Sequence, residues 1–162
     1  MSDDAWELAL KALGSKERST AELEAWLDER GVAAQDVEAV VSRLVEIGEL
    51  DDERFAARYA EDKRELAGWG AERIRERLLA RGVGPEVVEA AVAVESEQIQ
   101  IRRAGDLLTR RERGLASEAD KASALGFLTR RGYSYEIAHE AIRAGARADH
   151  SAISAAFDGG GL

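Results

Sequence analysis

Three stretches of the chain close on the same two residues at nearly equal intervals. TAELEAWLDERGV (20–32), AERIRERLLARGV (71–83) and SALGFLTRRGY (123–133) each end on Arg-Gly followed by Val or Tyr. Arg30, Arg81 and Arg131 lie 51 and 50 residues apart, with Leu27, Leu78 and Leu128 three residues before them. Leu23, Ile74 and Ala124 coincide in the same way. Beyond each glycine Val37, Val87 and Ile137 match, as do Val41, Ala91 and Ala141. A period near 50 with coincident apolar positions means one supersecondary unit used three times. Such a unit is too small to bury an apolar face alone, so neighbours must share theirs. The expectation is an all-α fold, an elongated curved stack of three tandem three-helix units.

Local signals agree. Val37, Val40, Val41, Leu44 and Val45 recur at helical spacing and paint one stripe, and no stretch alternates with period two. One proline in 162 residues leaves long stretches free to be helical. Ser19 to Glu22 and Ser117 to Asp120 read as capping boxes, and Asp51 and Ser134 as single N-caps. Gly14, Gly31, Gly48, Gly82 and Gly132 sit where a left-handed residue would end a helix. Helices are expected near 4–13, 20–30, 35–47, 52–67, 71–81, 85–112, 118–131 and 135–145, with a short one near 150–157. No glycine or proline interrupts 94–101, hence the long helix at 85–112. The domain boundaries that follow are 1–67 (with an extra N-terminal helix), 68–114 and 115–158, then a disordered tail at 159–162.

Charge is segregated. Residues 1–101 hold 13 Lys/Arg against 24 Asp/Glu, a balance of −11, whereas 102–148 hold ten against six, +4. An acidic body argues against bulk duplex binding, which draws its energy from cations neutralising phosphates. Without cysteine there is neither a disulfide framework nor a thiolate metal site. His139 and His150 are eleven apart and match no metal spacing, and no nucleophile motif or phosphate cradle occurs. Gly68-Trp69-Gly70 reads as a hinge between helices. A helix-turn-helix is the more serious candidate, but its would-be recognition helices, DVEAVVSRLVEI and PEVVEAAVAVES, are acidic and lack base-reading side chains. No cofactor is expected, and no run of residues is apolar and long enough for a membrane. A cytoplasmic, non-enzymatic monomer is the plain reading. The partner surface is expected at Arg102, Arg103, Arg110, Arg111, Arg113, Arg130 and Arg131, more arginine than helix-dipole compensation requires. A solvated charged face is the alternative reading of the same seven.

Four stretches then occur in a fixed order: ERSTAELEAWLDERGV (17–32), GELDDERFAARYAEDKR (48–64), GAERIRERLLARGV (70–83) and FLTRRGYSYEIAHEAI (127–142). Together they closely resemble the RecX family of bacterial recombination regulators over about residues 6–145. The block from Leu50 through Asp51, Asp52, Arg54 and Phe55 to Tyr59 carries most of the likeness, followed by Gly70, Ile74, Leu78 and Gly82, and later Gly132. The resemblance implies tandem three-helix units and a non-enzymatic modulator of the RecA recombinase. Such a modulator binds the RecA filament on single-stranded DNA and dampens its ATPase, strand exchange and SOS coprotease activities. Some members of the family also touch DNA, so a direct DNA contact stays open, as does a helical adaptor for an unrelated protein. Phe55 and Tyr59, at i and i+4 on an apolar stripe, are expected in the core. After Tyr59 the chain mixes Glu61, Asp62 and Glu65 with its cations, which argues against a cationic DNA contact there.

Overall fold

The computed structural model describes residues 1–158; the tail expected at 159–162 lies outside the described residues. Those residues form nine α-helices and no strand. They are α1 (Asp3–Ser15), α2 (Thr20–Asp28), α3 (Ala34–Glu46), α4 (Asp52–Ala67) and α5 (Ala71–Ala80). α6 (Pro85–Ala93), α7 (Glu97–Arg110), α8 (Glu118–Arg130) and α9 (Tyr135–Asp158) complete the set. The fold is all-α.

The expected caps are in place. Ser19 and Ser117 close capping boxes with Glu22 and Asp120. The Asp51 carboxylate accepts from the Arg54 amide at 3.0 Å, and the Ser134 hydroxyl from the Ile137 amide at 3.2 Å. Each satisfies a donor that the first helical turn leaves orphaned.

Two helix expectations are corrected. The helix expected over 85–112 is broken at 94–96. Ser96 is extended there (φ −68°, ψ 159°) and its hydroxyl caps the Ile99 amide, while the Glu95 side chain turns inward, 8% exposed. The separate helix near 150–157 does not exist either, because α9 runs unbroken from 135 to 158. Gly145 lies inside this helix, where a Cβ would come within 2.7 Å of the Leu115 side chain, so glycine makes room for a close neighbour. Gly14 likewise lies inside α1.

The chain divides into two compact units, residues 1–62 with 75–92, and residues 63–74 with 93 onward. In the first unit α1, α2 and α3 pack around Ala9, Leu23, Leu27, Val40 and Leu44, with Trp6 and Trp26 at the margin. In the second, α7, α8 and α9 pack around Ala104, Leu108, Ala124, Leu128 and Ala138. Burying apolar area contributes about 25 cal/mol per Å², so these stripes dominate the stability of each unit.

The Arg-Gly corners explain the repeat. In the first unit the corner after α5 docks on the start of α2. The Ser19 hydroxyl donates to the Arg81 carbonyl at 2.6 Å, and the Arg81 guanidinium grips both oxygens of Glu22. In the second unit the corner after α8 docks on the start of α5. There the Gly70 amide donates to the Arg131 carbonyl (2.8 Å) and the Glu72 amide to the Gly132 carbonyl (2.9 Å). At the first corner a capping side chain donates to a carbonyl at a helix end, and at the second the free amides of a helix start do so. The approach demands glycine: Gly132 has φ +94°, and a Cβ on it would collide with Arg73, while one on Gly70 would stand 2.5 Å from Gly132.

Candidate functional site

The block from Asp51 to Tyr59 builds the first of these joints. Asp52 accepts from the Thr20 amide (2.8 Å) and hydroxyl (3.1 Å), tying the start of α4 to the start of α2. Arg54 donates to the Gly48 carbonyl at 3.0 Å. Phe55 is buried and Tyr59 half-buried, their rings stacked 6.3 Å apart, and Arg81 lies over both, 4.7 and 5.6 Å from the centroids. Ile74 and Leu78 are fully buried. These residues hold the fold together.

The seven arginines fall into two sets. Arg103, Arg111 and Arg131 are half-buried and engaged inside the second unit. Arg111 and Arg131 lie over Phe127 (4.7 and 4.5 Å), and Arg111 also donates to the Ser123 hydroxyl at 2.7 Å. Arg103 pairs with Glu95 at 2.9 Å, and the same carboxylate meets Arg64 at 3.2 Å. Arg102, Arg110, Arg113 and Arg130 are exposed. The fork of arginine suits carboxylate and phosphate oxygens alike, so these four are the ones able to meet a partner.

Geometry collects part of this set into a groove of about 550 Å³ between the end of α4 and the outer face of α7. Arg64, Arg102, Arg103, Arg110 and Arg131 line it, with Glu65 and Asp106 as the only acids and Leu66, Ile99 and Leu107 as apolar floor. One buried nitrogen of Arg103, Nη1, has no hydrogen-bond acceptor among the described residues. A second cluster gathers Arg111, Arg113 and Arg130. Burial, and after it the charges of Arg113 and Arg130, draw the Arg111 guanidinium below its ordinary range. The buried Tyr133 phenol donates to the Gly68 carbonyl at 3.0 Å, and burial pushes its pKa up to about 12.

Arg64 and Glu95 escaped the sequence reading. Arg64 belongs to the mixed-charge stretch after Tyr59, and Glu95 is one acid among several in VESEQIQI. Among the described residues no group of three or more His, Cys, Asp and Glu side chains could hold a metal, and no helix is long and apolar enough to cross a membrane.

Comparison with known proteins bears on this arrangement. The family models for the first and second three-helix domains of RecX match residues 5–44 and 51–92, which take in α1–α3 and α4–α6. The regulatory protein RecX of Deinococcus radiodurans is 36% identical over 136 residues, covering 83% of this chain and 65% of that protein. Its counterpart in Mycolicibacterium vanbaalenii is 32% identical over 151 residues, covering 88% and 82%. The crystal structure of RecX from Lactobacillus salivarius superposes with a TM-score of 0.79 at 19% identity, covering 86% of this chain and 93% of that one. A crystal structure of another regulatory protein RecX gives 0.72 at 23% identity, covering 83% and 68%. With both modules matched in order and the same helical architecture, the chain belongs to the RecX family of regulatory proteins.

Proposed function

We propose that this protein regulates the RecA recombinase in the cytoplasm, binding its filament on single-stranded DNA and lowering its ATPase, strand-exchange and coprotease activities without chemistry of its own. The observation that carries this reading is the ordered match of two RecX domains over 5–44 and 51–92. The exposed arginines of α7 and α8 supply the contact, against acidic groups of the filament or its DNA backbone. The trio α7–α9 repeats the Arg-Gly corner of the two matched domains and acts as a third unit of the same kind.

The test is the single-stranded-DNA-dependent ATPase of RecA, followed as this protein is added from substoichiometric to excess amounts. A dose-dependent fall in rate is expected. An unchanged rate at excess, with no co-sedimentation with filaments, overturns the reading. Direct DNA binding is the second reading, favoured by the gathering of Arg102 and Arg110 in one groove and of Arg111, Arg113 and Arg130 beside it. It requires affinity for DNA in the absence of RecA that falls steeply with salt.

A further inference from the structure

The second half of α9 has no cover among the described residues. From Arg147 to Asp158 every residue is exposed, yet Ala146, His150, Ile153 and Phe157 continue the stripe that Ala138 and Ile142 begin in the core. Phe157 is 82% and Ile153 56% exposed. A helix that carries its apolar stripe past the body it packs on presents a surface for another body.

Beside this overhang lies a groove of about 710 Å³ between α8 and α9. Leu125, Ile142 and Ala146 give it an apolar floor, and Lys121, Arg143 and Arg147 line its edges with Glu118 as the acid at one end. His139 also lines it, with Nε2 buried and lacking a hydrogen-bond partner among the described residues.

Overhang and groove match in length and in charge. Along α9 the groove runs from His139 to Ser151, about 18 Å at 1.5 Å per residue. The exposed stretch from Arg147 to Asp158 spans about 16 Å, nearly the same length. The groove edge carries Lys121, Arg143 and Arg147, the first two paired with Glu118 and Glu140, whereas beyond Arg147 the helix carries Asp149 and Asp158 and no Lys or Arg up to Asp158. A single continuous helix cannot fold its own tip back into the groove beside it. A second copy meets no such obstacle.

We propose that two copies of this chain associate through α9, antiparallel about a two-fold axis near His150, each laying its Ile153 and Phe157 in the other's groove. The partner's Phe157 sits over Leu125 and Ile142, and the partner's Asp158 faces Arg143. A two-fold pairing makes both contacts twice, which is the arrangement closed dimers use. The buried patch is small, so the dimer is weak and concentration-dependent. A monomer is the expectation from the sequence; the groove points elsewhere.

Sedimentation velocity on the full chain, from micromolar to about 0.5 mM, reads the association directly. Phe157→Asp is expected to weaken it by at least about tenfold, with unchanged circular dichroism because the residue touches no core. Arg143→Asp and Asp158→Arg each weaken it, and the double charge swap restores it. Because the chain has no cysteine, His150→Cys offers a further readout: mild oxidation links it to its own copy, whereas Glu24→Cys on the exposed face of α2 stays unlinked. A 17.6 kDa monomer at every concentration overturns the proposal. So does association that survives Phe157→Asp. Neither result touches the RecA reading, which the ATPase assay decides.

Discussion

At the first joint one arginine engages four residues. Arg81 holds both oxygens of Glu22 at 3.0 and 3.2 Å, lies over Phe55 and Tyr59, and lends its carbonyl to Ser19 through the backbone. Burial tends to raise the Glu22 carboxyl, but the Arg81 hydrogen bond and charge, with the Ser19 amide, hold it below its ordinary value. A depressed carboxyl contributes stability above its unfolded pKa, near 4.5, and that contribution is lost as pH falls through the lower folded value. Glu22→Gln is therefore expected to destabilise the protein more at pH 7 than at pH 3, as read by urea unfolding at both. Two glycines give a matched pair. Gly31 and Gly132 both have positive φ, but open space surrounds Gly31, while Gly132 touches Arg73. Gly31→Ala should cost about 1 kcal/mol for the backbone alone. Gly132→Ala should cost at least about 1 kcal/mol more, because the α5 start must move away.

Glu95 explains the break between α6 and α7. With side chains 8% and 10% exposed, Glu95 and Arg64 form a buried pair that Arg103 completes. Removing the acid from such a cluster leaves buried cations uncompensated, so Glu95→Ala should cost about 3 kcal/mol in unfolding free energy, measured by denaturant titration. The same cluster shows where sequence reading stops. Helix starts at Ser19, Asp51, Ser117 and Ser134 were legible, since a cap and its partner lie within four residues. The Ser96 cap was legible by the same rule, but propensity over 94–101 pointed the other way, and the deciding contact comes from Arg64 on another helix. The unbroken run of α9 is hidden for the matching reason: what Gly145 makes room for, Leu115, lies thirty residues away. The arginine surface was visible as charge alone. Which arginines are committed depends on Phe127, Ser123 and the Ala67 carbonyl at the end of α4, which accepts from Arg131 at 3.4 Å, and these meet only in the fold. The division is testable. Arg111→Ala or Arg131→Ala should lower thermal stability, whereas Arg102→Ala or Arg110→Ala should leave it within about 0.5 kcal/mol.

For the molecule as a whole, net charge is −9 while the second unit concentrates cations on one groove and one cluster. Long-range repulsion from a polyanion and local attraction to it therefore compete, and salt screens both over about 10 Å at 0.1 M. Replacing Arg102, Arg110, Arg113 and Arg130 together by Gln should leave the circular dichroism spectrum unchanged. It should also weaken suppression of the RecA ATPase and flatten its dependence on salt. The ATPase titration repeated at two ionic strengths checks both.

The docked corners have a consequence for how the chain could be cut. Ser19, Glu22 and Thr20 on one side meet Arg81 and Asp52 on the other, and every one of those contacts crosses the turn at 48–51 without using its peptide bonds. A protein severed at that turn would keep both halves of its fastening. Separately expressed pieces, 1–48 and 49–162, should find each other and reassemble, held by Ser19 and Glu22 against Arg81 and by Thr20 against Asp52.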